Sequence, residues 1–220
     1  MITFLDLRAQ QTNPFTPKGS PPKGSPPKSP SKVVKGKTVE RRAIDVTGFV
    51  IHQTACVYGP SADRAKAYQR AIGIPAHAVA FRDGCVALPA PLSWYLYTSN
   101  GLNSRTLGLE VEGVYPGKAD GKVWGSAPAT PLDELARDTA RAALKRLVEE
   151  GRALGMPIEW IYAHRQSNGQ KPSDCGYELW QQVVLAYGVA ELGLKTRCME
   201  TLDDGKPIPR DWDPSSTAPY

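Results

Sequence analysis

Apolar residues along this chain come in short runs, and two of those runs end alike. Gly48-Phe49-Val50-Ile51 passes directly into His52-Gln53-Thr54, and Ile161-Tyr162-Ala163 passes into His164-Arg165. A continuous apolar run of this length, bounded by polar residues, is the mark of a strand buried on both faces. Both runs therefore predict strands of a central sheet that deliver a histidine at their ends. Between them, residues 76–80 read as a strand, Arg82-Asp83-Gly84 as a hairpin turn and residues 85–88 as the returning strand. Residues 106–113 alternate in the manner of a further strand. Helices are predicted by caps and by a 3.6-residue period. Ser61 caps a short helix ending near Gly73, and Thr130-Pro131-Leu132-Asp133 opens a long one ending near Gly155. Leu132, Leu135, Thr139, Ala143, Leu147 and Leu154 mark the inner face of that long helix. A last helix is predicted over residues 177–187. Strands interleaved with helices give an α/β fold, a mixed central β-sheet flanked by helices, over residues 41–193.

The flanks have a different pattern. Residues 1–40 hold a short apolar start and then a stretch in which Lys-Gly-Ser-Pro-Pro occurs at 18–22 and again at 23–27. Proline removes amide donors and favours polyproline II, while glycine and serine loosen the chain, so this stretch reads as a solvated linker or a basic contact patch. Residues 194–220 turn polar and proline-bearing and read as a C-terminal extension. Charge follows the same division. Of 27 basic and 22 acidic residues, the N-terminal stretch takes Arg8, Asp6 and six lysines (18, 23, 28, 32, 35 and 37), leaving 20 basic and 21 acidic from Val39 onward. The domain is thus near neutral, which gives no footprint for nucleic acid. No run reaches the roughly 18 apolar residues of a membrane span, and residues 1–8 lack the pattern of a secretory signal. The expectation is a protein made in a cytoplasm, without membrane insertion. Cys56, Cys85, Cys175 and Cys198 form no CxxC pair and read first as free thiols.

Candidate chemistry begins with the two strand-end histidines, in a chain that has only three. Asp174 follows His164 by ten residues, inside Lys171-Pro172-Ser173-Asp174-Cys175-Gly176. Two imidazoles and a carboxylate make the three-ligand set of a catalytic zinc site, with the fourth position left for water.

These residues also carry a resemblance. Gly48-Phe49-Val50-Ile51-His52, the stretch from Pro75 to Gly84, Thr106-Leu107-Gly108-Leu109-Glu110-Val111-Glu112-Gly113, and Ala163-His164-Arg165 with Ser173-Asp174-Cys175-Gly176 resemble the zinc-dependent N-acetylmuramoyl-L-alanine amidases. That superfamily includes phage endolysins and the peptidoglycan recognition proteins. The resemblance implies Zn2+ held by His52, His164 and Asp174. The family usually follows its third ligand with Pro-Gly; here Cys175 stands in the proline's place and is itself an alternative ligand. It implies Glu110 as the proton-shuttling carboxylate, with Glu112 as the alternative, and Lys171 as the cation that stabilises the developing oxyanion. It places Trp94, Tyr95, Tyr97 and Asn100 in a loop bordering the substrate groove, and gives His77 a structural place. The implied substrate is bacterial peptidoglycan (a muropeptide), cut between the lactyl group of N-acetylmuramic acid and L-alanine after release or delivery to the cell wall. Two further readings stand beside it: a peptidoglycan-binding module without activity, and a component of a phage particle or injection apparatus docked through residues 1–37.

Overall fold

The two apolar runs that end in histidine lie side by side. Residues Gly48–Gln53 (β4) are buried along their whole length, and they pair in parallel with Trp160–Ala163 (β8) on one edge. On the other edge Thr106–Val111 (β7) pairs with β4 in parallel, in a register that sets His52 opposite Glu110. The chain is described here from a computed structural model over residues 1–10, 31–58, 64–117 and 128–215, with the side chain of Arg64 outside that set.

Outward from this centre, Ala78–Ala80 (β5) runs parallel to β7 and Cys85–Leu88 (β6) turns back antiparallel to β5. Two edge strands complete a seven-stranded mixed sheet in the order β1-β6-β5-β7-β4-β8-β9: Thr3–Asp6 (β1), parallel to β6, and Lys195–Thr196 (β9), parallel to β8. Period-two alternation divides the strands between two cores. Ala78, Ala80, Val86 and Leu88 join Phe49, Ile51, Leu107 and Leu109 on one face, beneath helix Glu134–Ala153 (α2). Under the same face lies Tyr177–Leu179 (α3), whose helix continues with π-type geometry over Trp180–Val189. Val79 and Ala87 face the opposite way, toward helix Arg64–Ala71 (α1), with Leu7, Phe81 and Trp94. A mixed sheet flanked by helices is therefore what the chain forms.

Several elements differ from their sequence reading. Thr3–Asp6 lies in the stretch assigned to an N-terminal segment, yet it pairs with β6, and Leu7 beside it is buried. Val33–Val34 (β2) and Lys37–Thr38 (β3) form a small hairpin, which is tied to the loop after β6 through Lys32 N–H to Tyr95 O and Tyr95 N–H to Val39 O. Trp212 and Ile208, in the stretch read as an extension, are fully buried. Apolar residues isolated among polar neighbours carry no period, so pattern alone could not place them. The two Lys-Gly-Ser-Pro-Pro copies and the Ser61 cap lie outside the described residues, so of residues 1–37, read as a docking segment, parts are already paired within the chain.

Helix α2 starts later than its sequence signal. Asp133 is the cap, its carboxylate accepting the Ala136 N–H at 2.9 Å, while the Thr130 hydroxyl accepts the Val114 N–H at 2.8 Å in the preceding loop. The inner face is turned accordingly: Ala136, Ala140, Leu144 and Val148 are buried with Ala143 and Leu147, whereas Leu135 and Leu154 face solvent. Alanines line the seam against the sheet, and their small side chains were the weaker signal in a leucine-based reading.

Candidate metal centre

Parallel strands bring their carboxyl ends to one edge of a sheet, and irregular backbone there can gather side chains from several strands. Here β4 supplies His52, β7 supplies Glu110, and His164 follows the last residue of β8. His52 has the same strand parity as Val50, so it points away from α2, and Glu110, its register partner, shares that face.

Asp174 arrives from the loop after β8 and is held there by backbone. Its Oδ1 accepts the Gln53 N–H at 2.8 Å, and its own carbonyl accepts the Arg165 N–H at 2.9 Å. Gln53 tightens the same junction through its side chain. Nε2 donates to Tyr115 O at 2.6 Å and Ser173 O at 2.9 Å, and Oε1 accepts the Tyr115 N–H at 2.6 Å. Gln53 was not singled out in the sequence, although a polar residue closing a wholly apolar run is a signal that it is buried and occupied.

With Oδ1 engaged, Asp174 Oδ2 faces the imidazoles. It lies 3.0 Å from His164 Nδ1 and 4.0 Å from His52 Nδ1, and the two rings meet edge to face with centroids 4.4 Å apart. One donor atom from each of the three residues falls within 4.8 Å of the others, and all three residues are buried. Ligands of a tetrahedral zinc ion lie roughly 3.3 Å apart, which the two separations from Oδ2 straddle. His164 Nε2 is buried with no hydrogen-bond partner among the described residues. Burial, with the His164 ring and the Lys171 ammonium nearby, holds His52 well below the ordinary imidazole range, in the neutral form a metal requires. Two nitrogens and one oxygen, pre-assembled from a single chain, fit zinc.

Glu110 stands beside this group. The residue keeps some exposure, but its Oε2 is buried and has no hydrogen-bond partner among the described residues. Burial, and then the Asp174 carboxylate, push its carboxyl up to about 8 against the opposing pull of Lys171. Lys171, half-buried, is thus close enough to act electrostatically on Glu110 and His52. Glu112 is differently occupied. Fully buried, it accepts the Tyr58 N–H at 2.7 Å and the Arg82 N–H at 2.9 Å, tying two loops to the end of β7. Cys175, joined to Asp174 by a cis peptide, is fully buried in the core beneath α2, and burial holds its thiol well above the ordinary range. It is not among the residues brought together at the centre.

The loop of residues 94–103 is divided. Trp94, expected at a groove, is instead buried in the α1-side core with Leu7, Phe81 and Leu96, and its backbone bridges to Glu40. Tyr95 and Tyr97 meet edge to face at 5.7 Å, with Lys32 Nζ 5.2 Å from the Tyr95 ring centre, and Tyr97 and Asn100 are exposed. Ser99, between them, is fully buried and lies 3.1 Å from His52 Nε2, which places this loop at the border of the centre. His77 packs remotely: its Nδ1 accepts the Gly108 N–H at 2.9 Å and its Nε2 donates to Trp94 O at 3.2 Å. The four cysteines are free thiols.

No family model matches the chain, and no curated protein does. Solved structures similar to it include amidases and peptidoglycan recognition proteins. The N-acetylmuramoyl-L-alanine amidase LysC from Clostridium intestinale URNW is 17% identical, covering 72% of this chain and 92% of its own, at a TM-score of 0.45. The Ph2119 endolysin from the Thermus scotoductus MAT2119 bacteriophage is 16% identical over 87% of this chain and 99% of its own, at 0.45. Drosophila PGRP-LB is 14% identical over 72% and 88%, at 0.49. At such identities it is the side chains themselves that decide what the centre can do.

Proposed function

We propose that this chain is a zinc-dependent N-acetylmuramoyl-L-alanine amidase, hydrolysing the amide between the lactyl group of N-acetylmuramic acid and L-alanine in bacterial peptidoglycan. The observation that carries the reading is the convergence of His52, His164 and Asp174 at the carboxyl ends of neighbouring parallel strands, with Glu110 on the same face. The motif resemblance of those same stretches supports the choice of substrate.

Zinc held by His52, His164 and Asp174 would polarise the scissile carbonyl and lower the pKa of a water toward neutrality. Amide hydrolysis also needs a group that accepts the water's proton and returns one to the departing nitrogen. Glu110 performs both transfers through the same carboxylate, and its affinity for a proton, raised to about 8, lies near the pH at which such a relay is most effective. Lys171, whose charge is felt at both His52 and Glu110, would stabilise the negative charge that develops on the carbonyl oxygen. Tyr95, Tyr97 and Asn100 belong to the loop that Ser99 brings to His52, and there the exposed ring of Tyr97 would offer an apolar face to sugar and the Asn100 amide hydrogen bonds to peptide.

Mass spectrometry of purified peptidoglycan digested with zinc-loaded protein tests this. Free stem peptides beginning at L-alanine are expected. Release only of cut glycan or cross-bridge fragments, or tight sedimentation with the wall and no cleavage, would sink the amidase reading.

A further inference from the structure

We infer that Ser99 is a positioning residue that fixes the tautomer of His52 and so aims the Nδ1 lone pair into the metal centre; the inference rests on the zinc reading above. The Ser99 hydroxyl lies 3.1 Å from His52 Nε2, while the other ring nitrogen faces Asp174 Oδ2 at 4.0 Å. Hydroxyl and imidazole can each donate or accept, so this contact alone does not set the direction. Its neighbours do. Asn103 Oδ1 accepts the Ser99 N–H at 2.5 Å, which identifies it as the carboxamide oxygen, an atom with no hydrogen to give. Thr98 Oγ1, 3.4 Å from that oxygen, therefore donates to it. Its single hydrogen spent, Thr98 accepts from Ser99 Oγ at 2.7 Å. Ser99, its own hydrogen spent in turn, accepts from His52. Nε2 carries the ring hydrogen and Nδ1 is left with the lone pair, the tautomer a metal ligand needs.

The surroundings hold this relay in place. Thr98 rests on Gly108 of β7, where a Cβ would come within 2.8 Å of Thr98 Cγ2. At the far end, the buried Arg41 guanidinium donates to the carbonyls of Asn103 at 3.0 Å, Thr106 at 2.5 Å and Leu92 at 2.9 Å, pinning the loop on both sides of Ser99. Ser99 itself is fully buried, as is Thr106 at the start of β7. The centre is thus oriented from outside by a hydroxyl chain that ends on an obligate acceptor.

The test uses full-length zinc-free protein labelled with 15N at histidine, in which long-range 1H–15N correlations report the tautomer of His52, together with zinc affinity from competition with a chromophoric chelator. Wild type is expected to show Nε2–H at His52. Ser99→Ala should give a mixture of tautomers and weaken zinc binding by about 10–100-fold, the usual effect of losing a ligand's outer partner. Thr98→Val keeps the Ser99 contact but removes the acceptor of its hydrogen; the hydroxyl then donates to Nε2, the ring hydrogen moves to Nδ1, and zinc affinity falls by a similar factor. Thr98→Ser, which preserves the relay, should match wild type in both readouts and controls for packing. A wild-type ring already in the Nδ1–H form, or Ser99→Ala and Thr98→Val proteins with unchanged tautomer and zinc affinity, overturns the inference. A wild type that binds no zinc overturns the zinc reading instead, and the tautomer measurement still decides the role of Ser99.

Discussion

Two carboxylates on one strand end have opposite surroundings. Glu112 accepts backbone amides from Tyr58 and Arg82, whereas Glu110 Oε2 is buried without a hydrogen-bond partner among the described residues. Glu112 is thereby committed to holding two loops in place, which leaves Glu110 as the carboxylate at the centre. Glu110→Gln is accordingly expected to keep zinc but reduce turnover by roughly 100-fold or more, checked by metal analysis and peptidoglycan digestion on the same sample; retained turnover would remove Glu110 from the mechanism. The same burial has a consequence for stability. Between its ordinary value of 4.5 and about 8, native Glu110 holds a proton that the unfolded chain releases. Its contribution is complete below pH 4.5 and is lost as pH rises through 8, by at most ~1.4 kcal/mol per pH unit. His52, held neutral when folded, acts in the opposite sense below pH 6.5. The difference in urea midpoint between wild type and Glu110→Gln, measured without metal from pH 5 to 8, isolates the Glu110 contribution: wild type should lose stability steadily relative to the variant as pH rises. The third ligand is decided in the same way. Asp174 Oδ2 faces both imidazoles and Cys175 lies in the core, so Asp174→Ala should lose zinc to a moderate chelator while Cys175→Ala retains it. The sequence left both pairs open, because Tyr58, Arg82 and Gln53, whose amides sort the carboxylates, are separated from them by up to 121 residues.

At the scale of elements, what could be read from the sequence followed how continuous its signal was. The β4 and β8 runs, the β5–β6 hairpin and α2 all carry an unbroken pattern, and each formed close to where it was expected. The start of α2 shifted because Thr130 and Asp133 are both good caps, and Thr130 is already engaged by Val114. Trp94 was misplaced for a related reason: an aromatic residue in a loop looks the same in sequence whether it faces a groove or a core. The loop of residues 173–176 carries a ligand motif but no hydrophobic period, and its shape is set by contact. Gly176 has φ +101, and a Cβ there would lie 2.3 Å from Tyr115 Cβ and 2.8 Å from Tyr115 O. Both the left-handed backbone and the clash exclude a side chain. Gly176→Ala must therefore displace either Tyr115, which Gln53 grips on both its N–H and C=O, or the Asp174 turn itself. A stability loss of about 2–4 kcal/mol is expected, with zinc affinity reduced alongside it, read by urea unfolding and chelator competition. Wild-type zinc affinity in this variant would mean that the Asp174 loop is positioned from elsewhere.

The molecule as a whole is closed at both sheet edges by segments that the sequence presented as flanks. β1 covers the outer edge of β6, with Thr3 N–H donating to Gly84 O at 2.9 Å and Leu7 N–H to Leu88 O at 3.0 Å, and Leu7 enters the α1-side core. Arg8 pairs with Glu150 of α2 across the seam, joining this edge to the helix beneath the sheet. The sequence could not show this, since a four-residue strand followed by a proline- and lysine-rich stretch looks like a tail unless its partner is known. Removing residues 1–8 would leave Cys85–Leu88 as an unpaired edge and open the core where Leu7 sits. Losing one buried leucine and a few ladder hydrogen bonds costs on the order of 4 kcal/mol, which for a chain of this size lowers Tm by roughly 8–16 °C. The metal centre lies beyond β5 and β7 from that edge, so the truncated protein, assayed well below its Tm, should bind zinc as the full chain does. Thermal unfolding and chelator titration of the truncated protein separate the two effects. An unchanged Tm would show that β1 is not needed to close the sheet; a Tm loss with zinc affinity intact would show that the first strand supports the fold and leaves the centre to β4, β7 and β8.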